Sequence, residues 1–357
     1  MRDSVLASAP GRRAVGIWLL AVAAIIVCMV TLGGLTRLTG SGLSITEWDP
    51  IMGAIPPLSA HDWQDAFAKY RQIPQYRFEH HGMTLQGFQA IFWWEWMHRL
   101  LGRLLGFVFF VPFVWFAWTG AIQRSEWPRM VLLFALGGLQ GFVGWWMVES
   151  GIETTTNVSV AAYRLAIHLG VAIILLGAIL WTALKYLKET SSSPLRRGEG
   201  VRVYSFALAA LVYVQMLLGA LVAGLHAGLI YNTWPSMDGR VLPEHPFSVT
   251  PWWRSFFEDP GLAQFDHRIG AYVVFVVALW LSFRVRSIKP SVQAVNAAGV
   301  VAILVVFQVI LGIVTLLTQA PLPLAAAHQL TAALLFCACV WLAFEGRATS
   351  VTLRFRH

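Results

Sequence analysis

Four histidines on apolar stretches carry the chemistry open to this sequence: His98, His168, His267 and His328. A neutral imidazole offers a lone pair to a metal, and two imidazoles opposed across a helix bundle are axial ligands for a haem iron. Beside the first of them lies an acid, in Glu95-Trp96-Met97-His98-Arg99-Leu100-Leu101-Gly102-Arg103. A charged residue at helix-centre depth costs roughly 2.5–3.5 kcal/mol on insertion scales, so this density of ionisable groups demands a function or a tight internal network. On a helix Glu95 and His98 share a face at i,i+3, and Arg99 sits i,i+4 from Glu95. Gly102, one turn past His98, leaves a gap beside the imidazole where something flat could lie.

The stretch returns, altered, as Gln264-Phe265-Asp266-His267-Arg268-Ile269-Gly270, and the echo extends along the chain. At an offset of 186, Leu32, Gly33, Leu35, Gly42, Leu43, Trp48, Gly53 and Pro57 meet Leu218, Gly219, Leu221, Gly228, Leu229, Trp234, Gly239 and Pro243. His98-Arg99 then meets His267-Arg268 at 169, Gln140 and Gly144 meet Gln308 and Gly312 at 168, and His168 meets His328 at 160. The halves differ three residues before the first histidine of each: Glu95 against Gln264. A carboxyl in an apolar pocket exchanges protons near neutral pH, and an amide does not ionise. The first half therefore reads as the reacting one, unless Glu95 serves only to orient Arg99.

The elements that must position these residues are membrane spans. The 357-residue chain is 57% hydrophobic and only 12% charged, against about 25% charged in soluble domains. Eight apolar segments, at about 14–36, 86–118, 128–148, 159–186, 203–225, 262–284, 293–317 and 325–346, are long enough to cross roughly 30 Å of hydrocarbon. The net charge of +8 invites a nucleic-acid reading, but the basic residues cluster before the first span and after each even-numbered one. That asymmetry puts both termini in the cytoplasm and excludes nucleic acid as a partner. The N-terminal apolar run is too long for a signal-peptide core and reads as a retained first span. Cys28, Cys337 and Cys339 all lie in apolar runs, and without CxxCH covalent haem attachment is excluded.

The expected fold is an all-α polytopic membrane protein, eight transmembrane helices forming two tandem pseudo-symmetric four-helix bundles. Residues 1–190 and 191–357 are the halves, divided at the Ser191-Ser192-Ser193-Pro194 hinge. Second and fourth spans run in the same direction, so all four histidines fall at one depth in the outer half of the bilayer. An intramembrane histidine commonly bonds a neighbouring helix. Four at matching repeat positions favour ligation instead, and two histidines without a nearby cysteine leave a zinc shell unfilled. Arg164, one turn outward of His168, and Arg268 suit bidentate pairing with propionate carboxylates. Arg99 either joins them or pairs with Glu95. The outer loops, 37–85 and 226–261, hold Trp48, Trp63, Trp234, Trp252 and Trp253 at the membrane interface. His80 and His81 read as a surface pair, His61, His226 and His245 as loop residues without ligand spacing, and Phe92-Trp93-Trp94 as an interface belt.

Glu95 to Arg103, the turn from Gly34 to Ser44, and Asp266-His267-Arg268 together resemble haem A synthase, and the likeness covers nearly the whole chain. Lacking a loop cysteine pair, the chain resembles the alphaproteobacterial and mitochondrial branch. The resemblance implies oxidation of the C8 methyl group of haem O to a formyl group by successive hydroxylations and loss of water. It implies Glu95, His98 and His168 at the reacting centre, with His98 and His168 at the substrate haem iron. It also implies haem b as cofactor, its iron between His267 and His328. The family further implies haem O synthase as supplier, the cytochrome c oxidase assembly machinery as user, an electron-transfer partner and the cell inner membrane as location. Two other classes remain. A dihaem b-type electron-transfer subunit needs a cofactor haem in both halves, and a transporter needs a path that four histidines at one depth do not offer.

Overall fold

The computed structural model describes residues 11–49, 52–152, 158–188 and 199–346. The Ser191–Pro194 hinge and the basic residues Arg196 and Arg197 lie outside the described residues. Among the described residues there are no strands, and eight helices are long and apolar enough to span a membrane. They are α1 (Arg12–Leu38), α2 (Leu85–Trp118), α3 (Trp127–Ile152), α4 (Ala162–Lys188), α5 (Glu199–Gly224), α6 (Pro260–Ile288), α7 (Val292–Leu317) and α8 (Leu322–Glu345). Every expected span is present. The protein is a multi-pass membrane protein.

The helix starts follow local chemistry. Thr84, Asp259 and Ser291 each turn a side-chain oxygen to a backbone N–H of the first turn of α2, α6 and α7. A bilayer offers no water to N–H groups left open at helix ends, so such caps matter there. Pro112 interrupts α2 and frees the carbonyl of Val108, four residues back. Trp18 on α1 takes it, donating from Nε1 at 2.8 Å.

Helices α1–α4 pack in sequence, with α4 returning to α1, and α5–α8 repeat this ring. The rings meet through α1, α4, α5 and α8. Small residues let the backbones approach there: a Cβ on Gly34 would fall 1.8 Å from Gln329 Oε1, and Gln329 Nε2 donates to Val30 O at 2.6 Å. At the helix ends remote from the two long loops Lys188 pairs with Glu345, and Arg12 forks onto both oxygens of Glu126 at 3.0 Å. The faces of α2, α3, α6 and α7 turned away from the other ring expose Phe107, Val111, Phe142, Phe283 and Ile303, as lipid-facing surfaces do.

The long loop between α1 and α2 has secondary structure of its own. It holds helices Ala60–Tyr70, whose Ser59/Asp62 pair forms a capping box, and Pro74–Phe78. These fold onto the outer end of α2, where Phe67, Tyr70, Phe88, Phe92 and Trp63 make a buried aromatic cluster. Phe92 thus belongs to this small core, whereas Trp93 keeps the exposure expected of a belt residue. His80 and His81 are not a pair. His80 Nδ1 lies 2.6 Å from Tyr70 Oη, which also donates to Gln75 Oε1 at 3.0 Å, while His81 is exposed. Burial pushes the Tyr70 phenol well above its usual range, with Glu79 and Glu95 adding to the effect.

Candidate haem site

Each of the four histidines faces a glycine on the preceding span. An ideal Cβ would stand 3.0 Å from His98 Cε1 at Gly33, 2.9 Å from His168 at Gly144, 3.1 Å from His267 at Gly219 and 2.7 Å from His328 at Gly312. A side chain at any of these glycines would occupy the space the ring now fills. The gap expected at Gly102 is elsewhere: Gly102 faces Met29 Cε at 3.6 Å, because a residue one turn along the same helix borders the neighbouring helix, not the ring.

Three histidines are gripped by a glutamine one turn before their glycine. Gln140 Nε2 lies 3.1 Å from both His168 Nδ1 and His168 O. Gln215 Nε2 lies 3.0 Å from His267 Nδ1 and 2.8 Å from His267 O. Gln308 Nε2 lies 3.0 Å from His328 O and 3.4 Å from His328 Nε2. The spacing Gln-x-x-x-Gly puts both residues on one face of each helix.

The His267 and His328 rings face each other, centroids 6.4 Å apart and planes at 77°. Two metal–imidazole bonds of roughly 2 Å each, plus the half-widths of the rings, bring centroids to about this separation. His98 and His168 make no ring contact among the described residues, and each stands against the glycine of its own preceding helix. The Nδ1 atoms of His98 and His328 are buried with no hydrogen-bond partner. Among the described residues no group of three or more His, Cys, Asp or Glu is placed to hold a metal ion. The donor set at His267 and His328 is a pair of opposed imidazoles, each against a glycine, and it fits a porphyrin iron.

Glu95 is buried, 3% exposed, but its surroundings are polar. Its Oε1 accepts from Arg99 Nε at 3.0 Å and Nη2 at 2.5 Å, and its Oε2 accepts from Ser44 Oγ at 2.7 Å and Ile45 N at 2.9 Å. The expected apolar pocket is absent because the loop after α1 lays its hydroxyl and backbone donors over the carboxyl. Arg99 also donates to Ile45 O at 2.8 Å and Glu47 O at 3.1 Å. It borders a cleft of about 210 Å³ with Trp48, Trp145 and Glu149.

The second half repeats this clamp with an amide. Gln264 Oε1 accepts from Arg268 Nη2 at 3.2 Å, while its Nε2 donates to Ala227 O at 2.9 Å and Tyr231 O at 3.2 Å. Arg268 also reaches Tyr231 O at 2.9 Å, the repeat counterpart of Ile45. Ser44 has Ile230 as its counterpart, so the hydroxyl exists only beside the acid. Arg164 donates to Trp146 O at 2.7 Å and lies over the Trp146 ring, and its Nε has no partner, as does Nε of Arg268. Both keep a buried donor open.

The glycines and glutamines were the part missed from sequence. Gly33/Gly219 and Gln140-x-x-x-Gly144/Gln308-x-x-x-Gly312 were visible as repeats, but only the packing shows that they face the histidines.

The chain matches the family described as "Cytochrome oxidase assembly protein", COX15-CtaA, over residues 16–340. It is 48% identical over 328 residues to a heme A synthase of Parvibaculum lavamentivorans, covering 92% of this chain and 93% of that one. It is 47% identical to the heme A synthase of Brucella anthropi over 340 residues, with 94% and 93% covered. To that of Bradyrhizobium diazoefficiens it is 48% identical over 331 residues, with 91% and 90% covered. A match across nearly the whole length means that the chain belongs to the COX15-CtaA family of cytochrome oxidase assembly proteins.

Proposed function

We propose that this protein is an oxidoreductase that converts haem O to haem A. Two successive two-electron oxidations of the C8 methyl replace C–H by C–OH, and loss of water from the resulting diol leaves the formyl group. What carries this reading is the names of the relatives together with one asymmetry: of two equivalent histidine pairs, one has a carboxyl (Glu95) and the other an amide (Gln264) three residues before its first histidine.

In this reading residues 191–357 are the cofactor half, where His267 and His328 hold the iron of haem b, which supplies one-electron transfer. Residues 1–190 are the substrate half, where His98 and His168 hold the iron of haem O. Arg164 and Arg268 meet propionates with their open donors, and Arg99 reaches them from the cleft mouth. Glu95 accepts or returns a proton, with Ser44 Oγ, 2.7 Å away, as its contact toward the outer loop. Gly33, Gly144, Gly219 and Gly312 give the rings room, and the closely packed helices keep water from the reacting carbon. The protein sits in the cell inner membrane with both termini cytoplasmic. It receives haem O from haem O synthase, delivers product to the cytochrome c oxidase assembly machinery and exchanges electrons with a separate partner.

The pigment of the purified protein separates this from a dihaem electron-transfer subunit. Extraction is expected to yield haem b together with haem O or haem A, with low-spin bis-histidine absorption from the haem b. Two equivalents of haem b and no modified haem would favour the electron-transfer role instead.

A further inference from the structure

One of the four histidine cradles is built differently, and the difference falls on the substrate side. Gln140, Gln215 and Gln308 occupy the same place, one turn before Gly144, Gly219 and Gly312. The matching residue before Gly33 is Met29, which carries no hydrogen-bonding amide. His98 accordingly makes no side-chain hydrogen bond among the described residues, and its Nδ1 is buried without a partner. His328 Nδ1 is also unpartnered, yet Gln308 still grips that residue through its carbonyl.

The amides matter for ligation. An imidazole that ligates through Nε2 carries its proton on Nδ1 and needs an acceptor there to fix its orientation and raise its basicity. The Oε1 atoms of Gln140, Gln215 and Gln308 are all buried without a partner. Turning the Gln140 or Gln215 amide over, in exchange for its carbonyl contact, brings Oε1 to that proton, whereas the Gln308 amide lies nearer His328 Nε2. Met29 has nothing to turn. Loss of such an outer partner costs about 10- to 100-fold in metal affinity, so His98 is the weaker ligand of the substrate pair.

We propose that His98 is the exchangeable ligand of the substrate haem and His168 the fixed one, with Met29 as the positioning residue that sets the difference. This rests on the proposed function and adds to it which axial bond opens. In the opening step the iron–Nε2 bond breaks with the lone pair staying on nitrogen, and an incoming neutral ligand donates its own pair to the iron. No electron is gained or lost. The carboxyl-bearing helix α2 thereby owns the side of the haem that opens, with Glu95 one turn before His98. The cofactor haem, held by two glutamine-backed histidines, stays closed.

The test uses full-length protein purified with haem O bound, reduced with dithionite and exposed to carbon monoxide, which binds ferrous haem only where an axial ligand has left. Wild type is expected to form the adduct at the haem O and not at haem b. Met29→Gln, near Met in volume, supplies the missing amide and is expected to slow adduct formation about 10-fold or more, with haem content unchanged. Gln140→Met removes the grip on His168 and is expected to speed it. Rates within twofold of wild type in both variants, with normal haem content, would overturn the proposal. Adduct formation at the haem b would overturn it too. Wild-type protein that takes up no haem O would overturn the functional reading beneath it, an outcome distinct from either of these.

Discussion

Glu95→Gln is expected to lower haem A formation by about 10²- to 10⁴-fold, the range for loss of one general acid–base group, while haem b stays bound at His267 and His328. The substitution keeps the shape of the side chain. Oε1 remains to accept from Arg99, and the second half shows that a glutamine is compatible with this clamp, since Gln264 bonds Arg268 and the loop carbonyls there. What the amide loses is the capacity to take up or release a proton, and its N–H₂ would oppose Ser44 Oγ and Ile45 N–H where Oε2 now accepts from both. A purely structural Glu95 would lose haem b or fold together with activity. A catalytic one loses activity alone. Haem extraction and the low-spin spectrum of one preparation separate the two, and a wild-type yield of haem A from the variant would sink the catalytic role.

The second large effect is expected at a residue that carries no chemistry. Gly312→Ala places a methyl 2.7 Å from His328 Cε1, a separation that real Cβ atoms essentially never show. His328 has little freedom to yield, because Gln308 grips its carbonyl and packed α8 fixes its backbone. Metal ligation tolerates little displacement, so haem b retained through purification should fall about 10-fold or more. Gly219→Ala, at 3.1 Å from His267, asks its neighbour to give by only a few tenths of an ångström and should cost much less. Haem b per protein and low-spin absorption measure both. The reverse ranking would mean that the glycines do not set the ring positions.

The eight spans were legible because a bilayer imposes length and apolarity on each helix locally. The Glu95/Gln264 contrast was legible too, since a repeat supplies its own reference. The glycine and glutamine contacts were not, because a residue's use depends on which helix packs across from it. Gly102 was assigned the gap from its own helix, whereas Gly33 on α1 provides it. Gln215 escaped notice because its repeat partner is Met29, so the repeat did not mark the position. In the first outer loop the Ser59/Asp62 capping box stood in the sequence, but a half-buried His80 behind Tyr70 follows only from the loop folding back onto α2.

The most direct measurement is the haem extracted from cells that make haem O, with and without this protein. The account predicts that haem A appears only when the protein is present, at the expense of haem O, and disappears again with Glu95→Gln. Unchanged haem O with no haem A, from cells in which the protein is made and carries haem b, would contradict it.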